Sequence, residues 1–193
     1  MTKFIRRTAV SLPLLAFTGF AAPAVADIDL NLNDDAALLR YVAHDGPAGG
    51  FARREMDAGF LYTSDHDYLL MFGAQVIAEA GANMPELEAG LGLKAFGIRF
   101  DSDNIFALAI GGQLRYALPP HRRLVFGAEG YYAPDVVTSS PAENFSYFNV
   151  YAGYEVVPEA LLYIGYRDVS ADLRNRGDVT IDSGGHFGVR LAF

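Results

Sequence analysis

Cysteine is absent from the chain, which excludes a disulfide framework, a thiolate metal site and a lipid-modified N-terminal cysteine. An excess of basic residues is lacking too. Fifteen Lys and Arg stand against 23 Asp and Glu, a formal net charge of −8, so the basic footprint of a nucleic-acid-binding protein is missing. Beyond the N-terminal leader, no stretch approaches the roughly 18 consecutive apolar residues of a membrane-spanning helix. A Gly-x-Ser-x-Gly nucleophile elbow is also missing.

What is present begins with an address. Lys3, Arg6 and Arg7 precede an apolar run from Thr8 to Phe20 broken once by Pro13, and Ala24-Val25-Ala26 follows. This is the pattern of a secretory signal peptide with a small-x-small cleavage site. The run is too short for a bilayer anchor, which needs about 20 residues. The predicted division is a signal peptide over 1–26 and a single mature domain over 27–193. Cutting after Ala26 removes three basic residues and no acidic one, taking the net charge from −8 to −11.

The mature chain is a succession of short alternating stretches rich in Tyr, Phe, Val, Leu and Gly. The pattern predicts strands at 51–62, 68–79, 87–98, 105–117, 123–132, 146–156, 160–168 and 185–193, with shorter ones at 28–33 and 36–43. Most match the roughly 9–11 residues of a tilted membrane-crossing strand. Phe106, Leu108, Ile110, Leu114 and Tyr116 share one face, opposite Ala107, Ala109, Gly111, Gln113 and Arg115. Leu87 to Ala95 splits the same way, with Glu88, Gly90, Gly92 and Lys94 on the polar side, and Phe148, Val150, Ala152 and Tyr154 oppose Tyr147, Asn149, Tyr151, Gly153 and Glu155. A soluble sandwich would give the same alternation. The signal peptide and the terminal aromatic, Phe193, decide for a membrane barrel.

The fold predicted is therefore all-β, a closed antiparallel transmembrane β-barrel. Ten strands follow if Asn33-Asp34-Asp35 turns a hairpin, and eight if that segment is only a periplasmic strap. The alternation of Ile28, Leu30 and Leu32 with Asp29, Asn31 and Asn33 favours ten. Loop length orients the barrel, because such barrels keep short turns in the periplasm and longer loops outside. The longest connectors, 133–145 and 169–184, are expected outside. Gly81-Ala82-Asn83-Met84-Pro85, Pro119-Pro120-His121 and Val157-Pro158-Glu159 are then periplasmic turns.

The last strand alternates Phe187, Val189, Leu191 and Phe193 with His186, Gly188 and Arg190, and it looks like the terminal strand that outer-membrane barrels present for assembly. Gly130-Tyr131-Tyr132-Ala133-Pro134-Asp135, the glycine-rich strands beside it and Gly188-Val189-Arg190-Leu191-Ala192-Phe193 resemble the YfaZ family of outer-membrane proteins. The resemblance covers most of the mature chain. At 38–41, Leu38-Leu39-Arg40-Tyr41 stands in place of a glycine-rich run. The resemblance implies a small barrel of unassigned biochemical role and carries over no catalytic residues.

Few residues suggest chemistry. Asp65-His66-Asp67 combines an imidazole with two carboxylates on an outer loop, and the plainer reading is a solvated turn. Asp101-Ser102-Asp103-Asn104 opens like a calcium loop, but Phe106 and Gly112 stand where an EF-hand needs glycine and glutamate. His44, His66, His121 and His186 lie in loops or near strand ends without an evident serine partner, and His186 points inward. Gly111-Gly112 and Gly184-Gly185 read as barrel bends or close-packing positions. The predicted lumen holds Arg40, Arg53, Glu55, Asp57, Gln75, Glu88, Lys94, Gln113, Arg115, Glu129, Glu155, Arg167 and Arg190. Mixed signs at this density favour paired charges, since an unpaired buried ion costs several kcal/mol.

The sequence thus points to an outer-membrane, porin-like barrel of a Gram-negative cell with a mostly plugged lumen, serving a structural or surface-interaction role. The rivals are a narrow solute channel and a membrane enzyme acting on lipid or peptide. No catalytic, cofactor-binding or metal residue is assigned and no enzyme activity is expected. The expected partners are outer-membrane lipid, lipopolysaccharide and, through the C-terminal strand, the barrel-assembly machinery.

Overall fold

The computed structural model describes residues 25–47, 52–81, 84, 86–100, 103–139, 141–174 and 176–193. Residues 1–24 of the predicted leader lie outside the described residues, as do Asp101, Ser102 and part of the 81–85 turn. Ten strands form: β1 (Val25–Leu32), β2 (Ala36–Pro47), β3 (Ala52–Thr63), β4 (Tyr68–Glu79), β5 (Leu87–Phe100), β6 (Asp103–Ala117), β7 (Leu124–Ala133), β8 (Ala142–Val157), β9 (Ala160–Leu173) and β10 (Gly177–Ala192). Each pairs antiparallel with its neighbour in sequence, and β1 pairs with β10 from Asp27↔Ala192 to Leu32↔Phe187, closing the barrel. The ten-strand count holds because 28–33 and 36–43 are strands rather than a strap. Asn33 turns between them, its side-chain oxygen accepting from the backbone amides of Asp35, at 3.0 Å, and Ala36.

Closure satisfies the backbone groups that a bilayer cannot hydrate. It also leaves an apolar belt on every strand. Leu30, Leu39, Phe60, Phe72, Leu91, Ile110, Phe126, Phe148, Ile164 and Phe187, one from each, are exposed large hydrophobics. Outward parity is as expected: Leu108 and Ile110 face out, while Ala107 and Ala109 are buried inside. No helix among the described residues is long and apolar enough to cross a membrane; the strands do so instead.

Val25, the first described residue, and Phe193 lie at one end, here the terminal end, where β2 leads to β3, β4 to β5, β6 to β7 and β8 to β9. At the far end β1 leads to β2, β3 to β4, β5 to β6, β7 to β8 and β9 to β10. The long outer loops expected at 133–145 and 169–184 are corrected by this arrangement. β8 starts at Ala142, β9 runs on to Leu173 and β10 starts at Gly177. These extensions pair with one another, as in Asp178↔Asp172, Thr180↔Ser170 and Phe145↔Ala171. Polar outward residues disguise them as loop, while Val169, Ala171, Leu173 and Ile181 turn inward and are buried. His186 consequently sits well inside β10 rather than near its start, and His44 lies within the longer β2.

Candidate functional site

The interior is layered along the barrel axis. Its far half is apolar. Phe96 of β5 packs on Phe145 and Tyr147 of β8 at centroid distances of 4.6 and 5.7 Å. Leu38, Leu61, Leu69, Met71, Ile98, Ile105 and Val169 complete the same buried cluster. The polar residues named for the lumen thus occupy only part of the interior, because inward parity continued past Lys94 reaches Phe96 and Ile98.

Below the apolar layer lies a quartet of charges. Arg40 of β2 donates through Nε to Asp57 of β3 at 3.1 Å and through Nη1 to Glu129 of β7 at 2.9 Å. Lys94 of β5 donates to the same Glu129 and lies 3.3 Å from Asp57. Its ammonium also stands 4.7 Å from the Tyr131 ring centroid, a cation–π contact. The Lys94 side chain is fully buried, so two cations and two carboxylates neutralise one another out of reach of bulk water. Gly73 makes room for them, since a Cβ there would come within 2.3 Å of Asp57 Oδ1.

A second polar group occupies the β1 side. Asp29 accepts from Arg190 Nε and Nη2 at 2.9 and 2.7 Å and from the Tyr163 hydroxyl. Arg167, fully buried, donates to Asp182 at 2.6 Å and to Asn31. His186 Nε2 meets Asn149 Oδ1 at 2.9 Å, which fixes that histidine as an inward structural residue. Two tyrosine rings lie against glycines of the neighbouring strand. A Cβ at Gly127 would fall 2.2 Å from the Tyr151 ring, and one at Gly188 would fall 2.1 Å from Tyr163.

At the terminal end the interior opens into a cavity of about 650 Å³. Arg53 holds Glu88 through both terminal nitrogens, at 2.5 and 3.1 Å, and Arg115 donates to Glu155 at 2.8 Å. His44 stands between Asp27, 3.1 Å from Nε2, and Glu55, 3.3 Å from Nδ1. Gln75 donates to Glu55 at 2.6 Å and accepts from the Tyr131 hydroxyl at 3.1 Å.

Every residue of the predicted lumen set therefore faces inward, in three separate groups. Arg115 pairs with Glu155, and Glu129 with Arg40 and Lys94. Asp27, Asp29, Asn31, His44 and Asp182 belong to the same networks and were not anticipated. The alternation of Asp29 and Asn31 with Ile28, Leu30 and Leu32 carried the signal for the β1 pair. Elsewhere the candidates scatter. His66 (φ 69°) sits at the β3–β4 hairpin tip, edge-on to Tyr62 at 6.2 Å, and the Asp67 amide donates to the Thr63 hydroxyl at 3.2 Å. Asp103 lies 4.0 Å from Arg176. Among the described residues no group of three or more His, Asp or Glu side chains is placed to hold a metal ion.

The family described as YfaZ precursor matches residues 52–193, the span from β3 to β10. No curated protein matches the chain. Among solved structures, the outer membrane channel DcaP of Acinetobacter baumannii is similar at 10% identity and a TM-score of 0.47, over 88% of this chain and 62% of that one. The chain thus spans less than two thirds of that channel's length. A structure from work on in-meso crystallization of membrane proteins is similar at 11% identity and a TM-score of 0.46, over 88% of this chain and 83% of that one.

Proposed function

Since this chain belongs to the YfaZ precursor family and closes into a ten-stranded transmembrane barrel, we propose that it resides in the outer membrane as a structural or surface-interaction protein. In this reading it is not an enzyme, and its lumen is mostly plugged by its own side chains. The terminal end faces the periplasm and the far end the cell surface, against lipopolysaccharide. Phe187 and Leu191, outward on the last strand, and the exposed Phe193 just past it are offered to the barrel-assembly machinery.

One observation carries the proposal: the packed Phe96 cluster lies directly against the buried Arg40–Asp57–Lys94–Glu129 quartet. An eight-strand barrel is about filled by its side chains, and ten strands add little room. An ion crossing here would have to displace an aromatic cluster and break a neutral network of buried pairs. Purified protein in planar bilayers is accordingly expected to show no steady conductance. Regular current steps whose ion selectivity changes on Glu129→Gln would overturn the proposal and make the protein a channel.

A further inference from the structure

Charges of alternating sign ring the terminal-end cavity. On one wall Arg53 holds Glu88, Glu88 lies 3.8 Å from Arg115 Nη1, and Arg115 Nη2 donates to Glu155 at 2.8 Å. On the adjoining strands β1 to β3, His44 stands between Asp27 and Glu55. These pairs are not sealed off, because the Arg53 and Arg115 side chains remain 32% and 34% exposed. A separation of 3.8 Å is too long for a hydrogen bond, so Nη1 of Arg115 keeps its donors for another acceptor. At the lip stand Glu79 and Glu159, which have no ion pair among the described residues.

A ring of one sign selects ions of the other sign. An alternating ring has no such preference, and its complement is a molecule that carries both signs a few ångströms apart. Such a molecule can set its carboxylate against the free edge of Arg115 while its ammonium meets a lip carboxylate, leaving the wall pairs in place. The cavity, about 650 Å³, falls within the roughly 300–1,000 Å³ of small-molecule sites.

We propose that this cavity is a binding site for a small zwitterion, a free α-amino acid or a short peptide, with Arg115 receiving the carboxylate and the lip carboxylate Glu159 receiving the ammonium. The site stands whether or not the barrel conducts. A conducting barrel would refute the plugged reading and leave this one intact.

The test is calorimetric titration of the mature barrel, folded in detergent micelles, with glycine, diglycine, glycinamide and N-acetylglycine. Saturable one-to-one binding of at least one zwitterion is expected, with glycinamide and N-acetylglycine about tenfold or more weaker. The tighter of glycine and diglycine distinguishes an amino-acid from a peptide site. Arg115→Gln should weaken the zwitterion about tenfold, provided unboiled gel mobility shows the variant folded. Glu159→Gln, at a residue without an ion pair, is the second variant and should weaken the zwitterion and glycinamide but not N-acetylglycine. Failure of both zwitterions to bind saturably, equal affinity for the single-charge analogues, or wild-type binding by the folded variants would overturn the proposal.

Discussion

Replacing Glu129 by glutamine takes away one of the two carboxylates that hold Arg40 and Lys94. The quartet then carries two positive charges and one negative in a place sealed from water, the Lys94 side chain being fully buried and that of Glu129 only 5% exposed. Abandoning one partner of a buried pair costs about 3–5 kcal/mol. Asp57 still lies 3.1 Å from Arg40 and 3.3 Å from Lys94, and the new amide oxygen can accept one of the two lost bonds. The lower part of that range, about 3 kcal/mol, is therefore expected, roughly a hundredfold in the folding equilibrium. Urea titration of the barrel in detergent micelles, followed by unboiled gel mobility, measures it. Adding Lys94→Met removes the surplus cation and leaves Arg40 with Asp57, so the double variant should be more stable than Glu129→Gln alone. A loss below about 1 kcal/mol in the single variant, or a double variant whose losses simply add, would refute the account of the quartet as a neutral buried unit.

Leu108→Arg places a charge in the exposed apolar belt and should cost up to about 2–4 kcal/mol near the bilayer midplane. Gln113→Arg, directed into the cavity where Glu55 lies 3.4 Å away, should cost much less, and equal tolerance of the two in a refolding titration would show the faces misassigned. Gly111→Ala should destabilise the barrel strongly in the same titration, because its Cβ would come 2.0 Å from the Gly130 carbonyl oxygen; Gly97→Ala, with nothing within 4 Å, should be neutral. Deleting Phe193 removes the exposed aromatic that ends the last strand's outward series of Phe187, Val189 and Leu191, and should lower the amount of heat-modifiable barrel in the outer-membrane fraction. Recovery of the wild-type amount would count against a role for that residue in closure or assembly.

The two-residue period made the strands and their faces legible, because a closed barrel buries one parity of each strand and exposes the other. Ten strands were legible in the Ile28–Asn33 alternation for the same reason. Strand length was not. Asp168, Ser170 and Asp172 present polar atoms outward on β9 while Val169, Ala171 and Leu173 turn in, so the segment reads as loop to an eye expecting grease on the outside. The inverse error hid the apolar half of the interior, where Phe96, Phe145 and Val169 occupy inward positions that a water-filled lumen would give to polar residues. Which charges pair was beyond the sequence altogether. Arg40 and Glu129 are 89 residues apart and Asp29 and Arg190 are 161 apart, and only barrel closure brings them together.

The tyrosines laid against Gly127 and Gly188 bear on how such a barrel changes over generations. A side chain at position 127 cannot be gained while Tyr151 stays where it is, nor one at 188 while Tyr163 does. Each glycine and its tyrosine are thus inherited as a unit: a lineage that loses the ring is free to fill the glycine, and one that fills the glycine first must shift or shed the ring. Among descendants of this chain the substitutions at 127 and 151, and at 188 and 163, should arrive in pairs, while an outward glycine with open space around it, such as Gly97, should drift alone.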